Sequence, residues 1–293
     1  MYSGTYTAIV TPFRDGRVDE PALERLVESQ VAGGVDGLVP VGTTGESPTV
    51  DFDEHLRIIE LTVRFARGRL KVIGGTGANS TREAIELTQQ AADLGIDASL
   101  QVVPYYNRPT QEGLFQHYSA IAAATPLPML LYSVPGRSGV EIGVETARRL
   151  AQACPTIVGI KEAGGSADRV TQLRAACGPD FQIISGDDVL TVPFMALGAI
   201  GVISVASNVV PGEVVRLVQA AAAGDFAKAR DLHYRLVPLF RALFLESNPA
   251  PCKAALSLVG AMSDEVRLPL VPVTAATREA LRLALAGLGV IQP

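Results

Sequence analysis

Lys161 closes a short apolar segment that begins at Val158, and a turn of glycine and serine residues soon follows. The pattern predicts a lysine at the carboxyl end of a buried strand. A second segment, Pro128 to Tyr132, ends on a tyrosine before a Val-Pro-Gly turn. If the two segments are neighbours in one parallel sheet, only about 5 Å separates their backbones. The amine of Lys161 and the phenol of Tyr132 would then face one pocket. Taken singly, the lysine could be a solvated strand end and the tyrosine an edge-of-core residue.

A lysine amine in such a pocket is suited to chemistry on carbonyl groups. Burial disfavours the charged form, so a fraction of free amine becomes available at neutral pH. The iminium formed with a keto acid is an electron sink, which lets a neighbouring carbon lose a proton and attack a second carbonyl. Tyr132 is placed to shuttle the proton. The segment Gly42-Thr43-Thr44-Gly45 can cradle an anion with backbone N–H groups and hydroxyls, although any tight strand-to-helix turn could look similar.

Two periodicities alternate along most of the chain and predict the elements that position these residues. Amphipathic segments carry helical spacing, as at Leu23, Leu26, Val27 and Val31. Between them lie eight predicted strands, at 6–10, 37–41, 71–74, 98–103, 128–132, 156–161, 181–185 and 201–205. This alternation is typical of a (β/α)8 TIM barrel, which places its chemistry at the carboxyl ends of the strands.

We predict that residues 1–210 supply the barrel strands and crossover helices. Residues 211–293 would form the last barrel helix and a C-terminal helical extension within the same structural unit. Helical periodicity in this part covers 211–223, 225–245, 249–260 and 274–287. The apolar stretch 192–206 contains one proline and two glycines and is too short to span a membrane, so we interpret it as a buried helix followed by a strand.

Composition excludes several classes of protein. Of 293 residues, 48% are hydrophobic and 19% are charged, which suits one large core. The formal net charge of −5 leaves no basic surface for nucleic acid. Three widely spaced cysteines support neither a disulfide framework nor a zinc site. The amino terminus does not have the pattern of a secretion signal, so we expect a cytoplasmic protein with no membrane partner. The pair Asp187-Asp188 is interpreted as a solvated loop or a helix cap rather than a metal site.

Six segments, found in order along nearly the whole chain, together resemble the dihydrodipicolinate synthase and N-acetylneuraminate lyase family of pyruvate-dependent class I aldolases. The segments are Gly42-Thr43-Thr44-Gly45-Glu46-Ser47, Tyr105-Tyr106-Asn107-Arg108-Pro109, Tyr132-Ser133-Val134-Pro135-Gly136-Arg137, Gly159-Ile160-Lys161-Glu162-Ala163, Ser185-Gly186-Asp187-Asp188 and Glu246-Ser247-Asn248-Pro249.

The resemblance implies that Lys161 forms a Schiff base with pyruvate. A proton relay would be formed by Tyr132, Thr43 and Tyr106. In similar family members the second tyrosine reaches in from an adjacent subunit, so Tyr106 would complete its neighbour's site. The resemblance therefore implies a homo-oligomer, with a homotetramer built as a dimer of dimers as our expectation. It implies no cofactor and no metal.

Further substrate contacts are implied in the same way. Thr43 and Thr44 would hold the pyruvate carboxylate, and Gly186 and Ile203 would line the site through main-chain groups. Arg137 resembles the arginine that binds the carboxylate of aspartate 4-semialdehyde in the synthases, where a guanidinium suits a carboxylate. A solvated loop arginine is the alternative interpretation.

Arg137 decides between branches of the family, because the lyases and sugar-acid aldolases generally lack an arginine in that turn. It favours condensation of pyruvate with L-aspartate 4-semialdehyde, on the route to diaminopimelate and lysine. Ser133, where the synthases usually carry asparagine, points instead toward a 4-hydroxy-2-oxoglutarate aldolase. That enzyme, a 2-keto-3-deoxy sugar acid aldolase and a non-catalytic sensing homologue remain the alternatives.

The resemblance also implies a possible site for feedback inhibition by lysine. Its positions are Ser47, His55, Asn79, Glu83 and Tyr105. Phe52 occupies a position where lysine-sensitive members often have a histidine. Glu83 has a second explanation, because Ser80 to Glu83 fits a helix capping box.

Overall fold

The computed structural model describes residues 1–292 and contains a closed barrel of eight parallel strands. The strands are β1 (Gly4–Thr7), β2 (Phe13–Arg14), β3 (Arg17–Val18), β4 (Gly37–Leu38), β5 (Lys71–Gly75), β6 (Ala98–Val102), β7 (Met129–Ser133), β8 (Ile157–Glu162), β9 (Gln182–Ser185) and β10 (Gly201–Ser204). Around the barrel the strand order is β1-β10-β9-β8-β7-β6-β5-β4, and β2 and β3 form a separate antiparallel hairpin.

Helices surround the barrel, and the last of them form the C-terminal extension. They are α1 (Glu20–Gly33), α2 (Phe52–Ala66), α3 (Thr81–Asp93), α4 (Gln111–Ala124), α5 (Pro135–Ser138), α6 (Val144–Ala153), α7 (Ala167–Cys177), α8 (Thr191–Ala196), α9 (Pro211–Ala222), α10 (Phe226–Ala242), α11 (Ala250–Leu258) and α12 (Ala275–Gly287). Short 3₁₀ helices cover Ser47–Thr49 and Ala206–Asn208. Within residues 1–292, no helix has the length and apolarity needed to cross a membrane.

The predicted (β/α)8 barrel is confirmed, including the helix and strand within 192–206. The first strand was predicted at 6–10 but lies at Gly4–Thr7, where it pairs with β10 from Gly4 opposite Gly201. Two glycines can approach this closely, whereas a Cβ on Gly201 would lie 2.0 Å from the Gly4 carbonyl oxygen. An apolar pattern does not reveal such a strand start. The boundary at residue 210 stays a prediction, and Pro293 lies outside the described residues.

The hairpin of β2 and β3 was not predicted, although the sequence carries its turn. Asp15 and Gly16 connect the two strands with φ angles of 53° and 76°. Asp-Gly is a favoured pair for a two-residue hairpin turn with two positive φ angles.

Alternation along each strand separates two cores. In β7, Leu130 and Tyr132 pack inside the barrel, whereas Met129 and Leu131 pack in the layer between strands and helices. Inner and outer faces follow the two-residue period of a strand. A one-residue shift would therefore exchange the residues of the barrel interior for those of the helix-covered face.

We expect Gly159→Ala to destabilise the barrel by about 1–3 kcal/mol, the usual effect of overpacking. Its Cβ would lie 2.2 Å from the Gln182 carbonyl oxygen, at the junction of β8 and β9. Gly287→Ala is the matched control, because a Cβ there meets no atom within 4 Å. Chemical denaturation of the three proteins measures the difference. Equal free energies of unfolding for the two variants would contradict the expected clash.

Candidate active site

Lys161 and Tyr132 occupy directly paired positions on neighbouring strands. The Cα register of β7 and β8 places Tyr132 opposite Lys161, and each residue is only 6% exposed. The Lys161 ammonium nitrogen Nζ lies 4.3 Å from the centroid of the tyrosine ring. Within residues 1–292, no carboxylate forms an ion pair with this lysine. The amine therefore projects into a confined space beside a phenol, which is the arrangement that Schiff-base chemistry needs.

A cavity of about 140 Å³ opens beside Lys161 at the carboxyl ends of the strands. Six of the residues predicted from the sequence line it together: Lys161, Tyr132, Thr43, Thr44, Arg137 and Gly186. They come from the carboxyl ends of four barrel strands, β4, β7, β8 and β9, and from the segments that follow those strands, as the barrel topology requires. The cavity therefore combines an amine, a phenol, two threonine hydroxyls and a guanidinium.

Two other predicted residues are placed differently. Ile203 packs in the barrel interior on β10, 1% exposed, opposite Tyr6 of β1. Tyr106 is 91% exposed and has a φ of 72°. Its side chain does not line the cavity of its own chain. The proton relay that includes Tyr106 is therefore not assembled within a single chain.

The threonine pair lies in a tight turn that depends on Gly45. Gly45 N donates to the Gly42 carbonyl oxygen at 3.0 Å, and the Thr11 hydroxyl donates to the Gly45 carbonyl oxygen at 2.8 Å. A Cβ at position 45 would lie 2.8 Å from the Val41 backbone, so only glycine fits this turn without displacement. Thr44 is buried, whereas Thr43 is partly exposed toward the cavity.

Asn248 is a site residue to which sequence reasoning assigned no role. It lines the cavity, its Nδ2 donates to the Thr44 hydroxyl at 2.9 Å, and its carbonyl oxygen accepts from Arg137 Nη2 at 3.3 Å. Its Oδ1 is buried and has no hydrogen-bond partner within residues 1–292. The C-terminal extension thus contributes directly to the cavity. The Glu-Ser-Asn-Pro segment was the available signal, but Asn248 lies 204 residues from Thr44 in sequence.

A buried ionic cluster supports the lysine from the helix-covered face of β8. Glu162 is fully buried, and its carboxylate accepts from Arg169 Nε at 2.8 Å and from Gly164 N at 2.6 Å. Burial raises the pKa of Glu162, while the neighbouring guanidinium opposes that shift. Arg169 also donates to the carbonyl oxygen of Ile142. The strand end that carries Lys161 is thereby tied to the segment that follows α5, the short helix of Arg137.

Of the two interpretations of Asp187-Asp188, a solvated loop is wrong for Asp188, which is 2% exposed and lies against the start of the 3₁₀ helix Ala206–Asn208. Its carboxylate accepts from the Ser204 hydroxyl at 2.5 Å and from the backbone N–H groups of Val205 and Ala206 at 3.0 Å each. Burial raises the pKa of Asp188. The carboxylate organises the chain that leaves β10, a role that depends on long-range packing. Within residues 1–292, no group of three or more His, Cys, Asp and Glu side chains is arranged to hold a metal ion.

Two of the predicted effector residues line a second cavity of about 210 Å³ that shares Thr43, Tyr132, Val134 and Arg137 with the first. Ser47 and Tyr105 line this cavity, and Asn79 Nδ2 donates to the Tyr105 carbonyl oxygen at 3.2 Å.

The other two effector candidates already serve the fold. His55 Nε2 lies 2.7 Å from the Gly75 carbonyl oxygen, and burial lowers the pKa of His55 to about 4. Its imidazole is therefore neutral at pH 7. The exposed Glu83 donates its backbone N–H to the Ser80 hydroxyl at 3.4 Å, which is one half of the expected capping box.

Fold and site together define a (β/α)8-barrel protein with a lysine-centred pocket at the carboxyl ends of its strands. The chain belongs to the dihydrodipicolinate synthetase family, whose model matches residues 1–287.

Individual relatives align along nearly the full chain. It is 51% identical over 291 residues to the 4-hydroxy-tetrahydrodipicolinate synthase of Syntrophus aciditrophicus strain SB, covering 99% of this chain and 100% of the relative. A crystal structure of the chloride-inhibited dihydrodipicolinate synthase from Acinetobacter baumannii, complexed with pyruvate, is 48% identical. It superposes with a TM-score of 0.97, covering 99% of this chain and 100% of that one. The enzyme from Cyanidioschyzon merolae with lysine bound is 42% identical, with a TM-score of 0.96 and 99% coverage of both chains.

Proposed function

We propose that the protein is a Schiff-base-forming lyase, a 4-hydroxy-tetrahydrodipicolinate synthase that condenses pyruvate with L-aspartate 4-semialdehyde. The observation that carries this proposal is the buried amine of Lys161 against the Tyr132 ring, in a cavity that also holds Arg137. Two relatives that are about 50% identical along nearly the whole chain are named 4-hydroxy-tetrahydrodipicolinate synthase. The product would enter diaminopimelate and lysine biosynthesis.

The residues of the cavity suit each step of that reaction. The Lys161 amine attacks the ketone carbon of pyruvate, water is lost, and the iminium draws electrons from the methyl carbon. That carbon gives up a proton, which Tyr132 and Thr43 can carry, and the enamine attacks the aldehyde carbon of the second substrate, whose oxygen takes up a proton. The amino group of the semialdehyde then attacks the iminium carbon, which closes the ring and displaces the Lys161 amine. The threonine hydroxyls and backbone N–H groups suit the pyruvate carboxylate. Arg137, held by the Asn248 carbonyl oxygen, suits the carboxylate of the semialdehyde.

Ser133 gives no support to the alternative 4-hydroxy-2-oxoglutarate aldolase. Its side chain is fully buried on the outer face of β7, and its hydroxyl accepts from Ile142 N at 3.4 Å. It does not line the cavity. Because the residue does not face the substrates, its difference from the usual asparagine carries little weight against Arg137.

The three cysteines are free, as expected in a reducing compartment, and we place the reaction in the cytoplasm. We also propose a homotetramer arranged as a dimer of dimers. The exposed side chain of Tyr106 supports an oligomer, because a proton relay that includes Tyr106 needs this residue to reach the cavity of a second subunit.

Borohydride reduction in the presence of pyruvate should leave a stable pyruvyl adduct on Lys161, and Lys161→Ala should abolish it. Lys71→Ala is the matched control, because Lys71 begins a barrel strand at the opposite end and contacts the Met1 carbonyl oxygen.

Arg137→Ala should leave the adduct intact and lower kcat/KM for the semialdehyde about tenfold to a hundredfold, as for loss of a charged hydrogen bond. An Arg137→Ala variant impaired only in pyruvate binding would contradict the assignment.

Mixed oligomers test whether Tyr106 serves a neighbouring subunit. Lys161→Ala and Tyr106→Phe should each have little activity alone. Co-assembled by random pairing, they should regain about a quarter of wild-type turnover, because one site of each mixed dimer is then complete. Lys161→Ala mixed with Tyr132→Phe is the control, since both residues belong to one chain's cavity and no complete site can form. Equal recovery of turnover in the two mixtures, or no recovery in either, would show that Tyr106 does not serve a neighbouring subunit.

We further propose that lysine binds near Ser47, Glu83 and Tyr105 and inhibits the enzyme. The lysine-bound relative supports this proposal, as does the cavity that adjoins the active site. Turnover should fall as lysine is titrated into the millimolar range, and Glu83→Gln should shift the curve to higher lysine without changing the uninhibited rate. His55 is neutral and already bonded to Gly75, so we assign the charge recognition to Glu83. Full activity at millimolar lysine would retire the idea.

A further inference from the structure

A second lysine, Lys253, is more deeply buried than Lys161 and does not face the cavity. It lies on α11, its side chain is 0% exposed, and it forms an ion pair with Glu46, whose side chain is 1% exposed. Its ammonium also donates to the Glu265 carbonyl oxygen at 2.8 Å and lies 4.1 Å from the centroid of the Phe13 ring. Burial lowers the pKa of Lys253, and Glu46 opposes that shift. Because a fully desolvated ion pair in general adds little net stability, stability alone does not account for a pair at this position.

Glu46 closes the turn that presents the threonine pair. Its backbone has a φ of 59°, in the left-handed region that residues other than glycine rarely adopt. Its N–H donates to the Thr43 carbonyl oxygen at 3.2 Å. The carboxylate is held at both oxygens, by Lys253 at one and by Arg267 N, at 3.0 Å, at the other. The unusual backbone conformation beside Thr43 and Thr44 thus coincides with a carboxylate fixed by long-range contacts.

The other partner, Lys253, leads to the part of the cavity wall that Asn248 forms. Lys253 N donates to the Pro249 carbonyl oxygen at 3.0 Å, in the first turn of the helix that Asn248 precedes. Asn248 in turn contacts the Thr44 hydroxyl and the Arg137 guanidinium. One ion pair therefore joins the threonine turn to the chain segment that holds Arg137.

We propose that the Glu46–Lys253 pair is a positioning device for substrate. It fixes the Thr43–Thr44 turn in the conformation that receives the pyruvate carboxylate and sets that turn against Asn248. This inference rests on the proposed function, because it takes the threonine pair to be the pyruvate site. Neither residue touches substrate. Their effect on catalysis is exerted through Thr43, Thr44 and Asn248.

Glu46→Gln is the direct test, since it keeps the shape of the side chain and removes its charge. We expect the pyruvate KM to rise at least about tenfold and borohydride trapping at low pyruvate to slow in proportion, because small displacements of binding groups have large effects. The turnover number at saturating pyruvate should change much less. A purely structural role would lower the amount of active enzyme without moving the pyruvate KM.

Two further variants keep the test decisive. Glu46→Gln/Lys253→Met buries no unpaired charge, so it should fold even if a single variant does not, and it should show the same rise in pyruvate KM. Arg282→Met is the matched control, because it breaks the exposed pair with Glu279 on α12 of the same C-terminal extension, and neither residue lines the cavity. We expect its pyruvate KM to match the wild type.

The outcomes separate this inference from the proposed function. A folded double variant with wild-type pyruvate KM and trapping rate would overturn the positioning role, as would an equal rise of the pyruvate KM in Arg282→Met. A wild-type protein that forms no pyruvate adduct would instead overturn the proposed function itself.

Discussion

The pairing of β7 with β8 is the constraint on which the site depends. Its register sets Tyr132 opposite Lys161, so the amine lies over the phenol ring inside the barrel. Because side chains alternate between faces, a shift of one residue would turn Lys161 into the helix layer and Glu162 into the cavity. The neighbouring register of β8 with β9 places Glu162 beside Ser185, directly before Gly186. The pairing of these three strands therefore sets the relative positions of Tyr132, Lys161 and Gly186 in the cavity wall.

The outer face of the same strands carries polar groups that hold the strand ends without entering the cavity. Glu162 with Arg169 lies behind the lysine and Ser133 lies behind the tyrosine, while Asp188, in the segment after β9, accepts from Ser204 at the end of β10. Each is buried and hydrogen-bonded, as desolvated polar groups must be. These buried hydrogen bonds hold the carboxyl ends of the strands in place from the side that faces the helices. Reactive groups face inward, and the groups that orient their backbones face outward.

The C-terminal extension completes the site rather than merely covering the barrel. Asn248 reaches the threonine turn and Arg137, and Lys253 joins Glu46 beneath that turn. A barrel without this extension would lack one wall of the cavity and the counter-charge of a buried carboxylate. Such dependence explains why an enzyme whose reactive groups lie within the first 210 residues has a chain that continues well past its eighth strand.

The sequence by itself determined the barrel, the strands that carry Lys161 and Tyr132 near their carboxyl ends, and the loops that line the cavity. The reason is that period-two and helical spacing are local, and the barrel rule fixes which loops meet. Only the tertiary structure decided the rest. The glycine-paired start of β1, the burial of Asp188 and the partnership of Glu46 with Lys253 depend on contacts between residues far apart in the chain. No local pattern records which buried charge meets which, since that is set by how the finished barrel and its extension pack.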